Sequence, residues 1–191
     1  MKYEFLKNLS ECEEIKNQYD FWLDFMEEKV TFWLKNSEKH TKLHCARVML
    51  YALLIGMQKK LPEDELEVLA QACAFHDSRR QDDWLDTGHG KRAAEYYENY
   101  CKENPEQIRY DKRTKLIMEY HDRDDSEGIK IFNARTNKLN DGILLYQIFK
   151  DADGLDRFRL AEDALDVKML RTKEAVEMVE FAKRLVKDTT E

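Results

Sequence analysis

Five histidines, His40, His44, His76, His89 and His121, are spread along the chain, and an acidic stretch, DADGLD at 151–156, follows them. Imidazoles and carboxylates together suit borderline divalent metals such as Mn, Fe, Ni, Co or Zn, whereas carboxylates alone would point to Mg or Ca. His40 and His44 are one helical turn apart, so one helix face could present both. His76 and Asp77 are adjacent, and neighbouring side chains on a regular helix diverge by about 100°, so both reach one ion only at a specially shaped helix end. The order carries more information than any one member: a lone His, an HD doublet, further His, then a late Asp.

Helices are expected to position these residues. With only 6 Gly and 2 Pro in 191 residues, and Leu, Glu, Lys, Ala and Met abundant, the chain reads as all-α. Phe21, Trp22, Phe25, Phe32 and Trp33 recur at helical spacing in an N-terminal helix within 1–36, whose aromatic face is a candidate homodimer surface. Ser37 is the expected cap of a helix carrying His40, His44, Val48, Tyr51 and Ile55. Leu61-Pro62-Glu63-Asp64 restarts a helix that delivers His76-Asp77 at its end. The polar stretch 78–87 reads as a loop over the site. A helix then runs from Gly88 to Asn104-Pro105, and another from about Tyr110 to His121. Residues 122–142 read as a long surface connection, followed by helices at about 143–151, 155–165 and 172–187.

Length and charge bound the possibilities. The chain is expected to form one domain over 1–191, with a motif core at about 40–172 and N- and C-terminal helices (1–36 and 172–189) packing on it. A net charge of −7 argues against the extended basic surface that a long nucleic acid requires, but leaves room for a small anion in a local positive pocket. The longest apolar run, Val48–Met57, is too short to cross a bilayer, so no membrane partner is expected. Cys12, Cys45, Cys73 and Cys101 include no CxxC pair and follow no secretory signal. They read as free thiols in a cytoplasmic protein.

At five places the local sequence resembles the HD-domain superfamily of metal-dependent phosphohydrolases: LHCARV around His44, ACAFHDSRR around His76 and Asp77, GHGKRAAEYY around His89, IMEYHD around His121, and KDADGLDRFRL around Asp153. The similarity spans roughly residues 40–172. It implies a single-domain HD-type helical bundle in which His44, His76, Asp77 and Asp153 hold a divalent transition metal, with Mg a further option. Asp153 is preferred to Asp151 because Ala152-Asp153-Gly154-Leu155-Asp156 fits the ADxLD element of the family. His89 and His121 match positions that, in some branches, bind a second ion or touch substrate phosphate. His40 reads as a surface or satisfied core histidine.

Basic residues flank these motifs. Arg79 and Arg80 follow the HD pair, Lys91 and Arg92 follow His89, and Arg157 and Arg159 follow Asp153. Arg79, Arg80, Lys91 and Arg92 are therefore candidate phosphate ligands, the last two because cations in the first turn of a helix need a compensating anion. Asp82, Asp83 and Asp122 are candidates for proton transfer. The resemblance implies hydrolysis of a small phosphorylated metabolite, a nucleotide foremost, by metal-activated water attacking phosphorus. Two other readings share the ligand set: a di-iron HD-fold oxygenase and a non-catalytic metal- or nucleotide-binding module.

Overall fold

The computed structural model describes residues 2–35, 37, 39–134 and 141–190. Among these the fold is all-α, with ten α-helices and no strand. The central element is α3 (Lys42–Gln58), buried on every side from His44 to Gly56. A helix that is apolar all round must be enclosed by others, and α4 (Glu63–Phe75) and α8 (Gly142–Leu155) pack directly on it. Pro62 enters α4 ahead of Glu63, Asp64 and Glu65, which place negative charge on the exposed amides of the first turn. A second layer begins with α2 (Lys16–Lys29), which buries Trp22 and Phe25 against α3 and α4. On the other side α5 (His89–Glu103) packs on α6 (Lys112–Tyr120), and α6 reaches both α4 and α8. The ends are closed by α1 (Lys2–Lys7), α7 (Asp125–Asn133), α9 (Lys173–Glu177) and α10 (Val179–Thr190).

Several local expectations change. The N-terminal segment is two helices, α1 and α2, and residues 30–35 are not helical. Its aromatic residues are divided between core and surface: Trp22 and Phe25 are buried, whereas Phe21 and Trp33 stay more than half exposed. Thr41, not Ser37, caps α3 by accepting from the His44 N–H. The Ser37 hydroxyl accepts instead from the Lys39 and His40 amides, a turn that sets His40 ahead of the helix. The connection after Asp122 contains α7, capped by Asp124, which accepts from Ser126 N. Its polar composition hid a short apolar side on which Phe132 is buried and Gly128 lies flat against the Tyr146 ring. Residues 135–140 of that connection lie outside the described ones. Helix α8 runs unbroken through Asp151 to Leu155, and a 3-10 turn at Asp156–Arg159 replaces the helix expected over 155–165. The closing helix breaks at Met178 into α9 and α10.

All four cysteines are buried. Among the described residues no helix is long and apolar enough to cross a membrane.

One close approach controls how α5 meets α6. A Cβ on Gly90 would lie 2.8 Å from His121 Nδ1 and would also overlap the Met118 carbonyl. Gly90→Ala is therefore expected to lower stability by about 1–3 kcal/mol, as overpacking does. Chemical denaturation measures it, and a loss below about 0.5 kcal/mol, the range of neutral surface changes, would mean that the two helices part without cost.

Candidate metal centre

The histidines gather where helices end. His76 and His121 directly follow α4 and α6, where the last carbonyls lack intrahelical partners. Each imidazole binds a last-turn carbonyl: His76 Nδ1 donates to Cys73 O at 2.9 Å and His121 Nδ1 to Met118 O at 2.7 Å, a carbonyl that the His121 backbone N–H also approaches at 3.4 Å. His89, at the start of α5, donates from Nδ1 to Asp86 O at 2.7 Å. In the middle of the bundle His44 Nδ1 donates to Asp156 at 2.7 Å. A carbonyl or carboxylate only accepts, so all four rings carry a proton on Nδ1 and turn Nε2 towards the cluster, where His89 Nε2 also lies 3.2 Å from Arg80 Nη1.

Those Nε2 atoms converge. His44 and His76 Nε2 stand 3.2 Å apart, and His89 and His121 Nε2 stand 2.9 Å apart. A ring nitrogen without its proton is a metal donor, and carboxylates complete the donor set. Asp153 Oδ1 is 3.3 Å from His44 Nε2. Asp77 faces both pairs, with Oδ1 at 3.1 Å from His89 Nε2 and Oδ2 at 3.5 Å from His44 Nε2. Three groups result, each with one donor atom per residue within 4.8 Å of the others: His40, His44 and Asp77; His44, His76 and Asp153; Asp77, His89 and His121. The buried cluster is therefore able to hold a metal ion, and its mixed N/O donors fit a borderline divalent cation.

Electrostatics divide the four rings: against burial, Asp153 and Asp156 raise His44 and Asp77 raises His89, whereas His76 and His121 are lowered. Burial pushes His76 down to about 3, and burial together with the neighbouring His89 pushes His121 down to about 4, so both rings are neutral. Burial alone would raise the Asp77 carboxyl, but the surrounding His76, His40, His89 and His44 outweigh it and hold Asp77 well below the usual range. Asp153 is likewise held down against burial by His44, His76 and His121.

The structure assigns the two candidate late acids different places. Asp153 joins the cluster, whereas fully buried Asp151 accepts from the backbone and side chains of Arg171 and Thr172 and fastens the chain ahead of α9. His40 lies nearer the cluster than its reading as a bystander allowed, with Nδ1 2.9 Å from Asp77 Oδ2. Its one-turn spacing from His44 was the available signal. Asp156 was not singled out at all. It holds His44 on one side and accepts from Arg47 on the other, through Nε at 2.6 Å and Nη2 at 2.9 Å. The second Asp of the ADxLD element was visible, but nothing local ties it to Arg47.

A cavity of about 660 Å³ opens beside the cluster, lined by His40, Asp77, His89, His121, Asp122 and Asp153 among others. Of the four predicted phosphate ligands only Arg80 lines it. Arg79 turns away, donating to Thr31 O and stacking on the Tyr96 ring at 3.2 Å. Lys91 is exposed near Glu95. Arg92 donates to both oxygens of Asp86 at 2.6 Å, so the anion that compensates this first-turn cation is the protein's own. Cavity cations come instead from distant segments: Arg123, Lys150, Arg157, Arg159 and Arg171. Lys150 and Arg171 are bound to Asp125, while among the described residues Arg157 bonds through Nε to Ala164 O and leaves its Nη atoms available.

Of the proton-transfer candidates, Asp82 accepts from Trp84 N and Asp83 from Ser37, both away from the cavity. Asp122 lines it. Its Oδ2 accepts from Gly88 N at 2.5 Å, and its buried Oδ1 has no hydrogen-bond partner among the described residues.

Fold and site together define an all-α protein with a buried His/Asp cluster able to hold a metal, compatible with an HD-type bundle. Comparison with known protein families, curated proteins and solved structures finds no match.

The Arg47–Asp156–His44 chain makes a specific demand. Asp156→Asn removes the charge that orients His44 and leaves Arg47 buried without its counterion. Metal affinity is expected to fall about 10–100-fold, as for other groups that orient a ligand. Titration of the folded variant with Mn or Zn measures this, and wild-type affinity would mean that His44 needs no orientation from behind.

Proposed function

We propose that the protein is a metal-dependent phosphohydrolase acting on a small phosphorylated metabolite. The observation that carries this reading is Asp77: one buried carboxylate directs one oxygen to His89 and the other to His40 and His44, at the floor of a cavity with a cationic wall. Asp77 would thus bridge two ions, one held with His44, His76 and Asp153 and the other with His89 and His121. A divalent metal there supplies a Lewis acid that polarises a phosphoryl oxygen and lowers the pKa of water.

The chain's own residues supply the rest. Arg80 and Arg157 neutralise charge that spreads onto the phosphate oxygens. Asp122 lines the cavity, 3.6 Å by Oδ2 from His89 Nδ1, and is the carboxylate that would hold or accept a proton. Placing a phosphate in an acidic protein requires such a local cationic wall.

Elemental analysis of the purified protein and of its Asp77→Ala and His76→Ala variants, with a phosphate-release screen over phosphate esters in Mn, Ni, Co or Mg, tests this reading. Expected are bound metal in the wild type, its loss in both variants, and metal-dependent phosphate release that disappears with it. Two irons with oxygen consumption and no phosphate release would replace the hydrolase by an oxygenase. Tight ligand binding without turnover in any metal would leave a binding module.

A further inference from the structure

One cavity side chain has no part in binding metal or neutralising phosphate. Trp84 lines the cavity and is 78 % exposed, unusual for a residue that is highly buried on average. It is not a loose loop tip. Its N–H donates to Asp82 Oδ1 at 2.8 Å, and its carbonyl accepts from Arg80 Nη2 at 2.6 Å. The Lys39 ammonium sits 5.3 Å from the ring centroid. Two further contacts lace the same pair of segments together: Ser37 donates to Asp83, and His40 meets Asp77. The ring is thus presented by residues that also border the metal cluster.

The link between this ring and the cluster favours a particular ligand. The Arg80 guanidinium that holds the Trp84 carbonyl has its other arm 3.6 Å from Asp77 Oδ1. One guanidinium and two contacts therefore link the cluster to the Trp84 backbone, and the ring and the cluster line one cavity that a phosphate and an attached base could share. Apolar side chains from the segment after α8, Leu160 and Met169, line the same cavity and are also exposed. A sugar phosphate has no planar face to place on an indole, whereas every nucleobase does.

We propose that Trp84 seats the base of a nucleoside monophosphate, whose phosphate lies against the histidine cluster. This rests on the hydrolase reading for the place of the phosphate, and adds the group that selects the substrate. Lys39 covers the ring from one side and the base stacks on its open surface, while Arg80 couples the ring's backbone to Asp77.

The test compares adenosine 5′-monophosphate with ribose 5-phosphate, which differ by the base alone. Binding to the Mn-loaded protein is followed by calorimetry in the wild type, Trp84→Ala and Trp84→Phe, and metal content serves as the check that each variant is folded. The wild type is expected to bind the nucleotide at least about tenfold more tightly than the sugar phosphate, the scale of one base–aromatic stack. Trp84→Ala should reduce that ratio towards one, and Trp84→Phe should restore most of it. A wild type with no preference, or an undiminished preference in Trp84→Ala, overturns the proposal. Phosphate release is assayed in parallel with binding, so a Trp84-dependent preference with no phosphate release supports the seat while removing the hydrolase. Release of phosphate from both esters at equal efficiency does the reverse.

Discussion

An imidazole taken out of water must give its Nδ1 proton to a fixed acceptor, and the arrangement of the cluster follows from how that requirement is met. At His76 and His121 the acceptor is a carbonyl in the last turn of the preceding helix. At His44 it is Asp156, itself neutralised by Arg47. A buried hydrogen-bonding group without a partner is costly, so each ring is locked in one orientation, with Nε2 turned towards its neighbours. The convergence of donors is thus a consequence of satisfying the opposite side of every ring. Gly90 belongs to the same device, since only a residue without a side chain lets α5 approach the carbonyl that orients His121.

Charge is arranged in depth. Carboxylates occupy the floor of the cavity, where imidazoles hold Asp77 and Asp153 ionised against the effect of burial. Cations lie on the walls, and most are already engaged. Arg171 is tied to Asp151 and Asp125, Arg159 to backbone carbonyls at Lys39 and Asp156, and Lys150 to His121 O and Arg123 O. These contacts keep cationic groups beside an acidic cluster without collapsing onto it. A small anion entering such a site meets preplaced positive charge in a partly enclosed space, where electrostatic interactions are stronger than in open water.

Much of the fold was legible because its signals are local. The apolar run through α3, the acidic first turn of α4, the stop at Asn104-Pro105 and the near absence of Gly and Pro each follow from adjacent residues. Short elements were harder to read. Helix α7 depends on Asp124 as a cap and on one turn of apolar contact, too little to stand out from its polar neighbours. Ser37 and Thr41 were both plausible caps for α3, and the choice fell to Thr41 because Ser37 is drawn into a turn and to Asp83.

By itself the sequence determined the all-helical class, the donor types and their order along the chain. It also placed His76-Asp77 at a helix terminus, where adjacent side chains can serve one site. Tertiary structure alone decided which donors meet and which charges remain available. His44 and Asp156 are 112 residues apart in sequence and 2.7 Å apart in space, and no periodicity encodes that contact. The flanking arginines show the same limit: Arg80 faces the cavity, whereas neighbouring Arg79 stacks on Tyr96. Successive residues leave a turn in different directions, and the packing of α5 and the residues after α2 around them, rather than their type, determines what each side chain reaches.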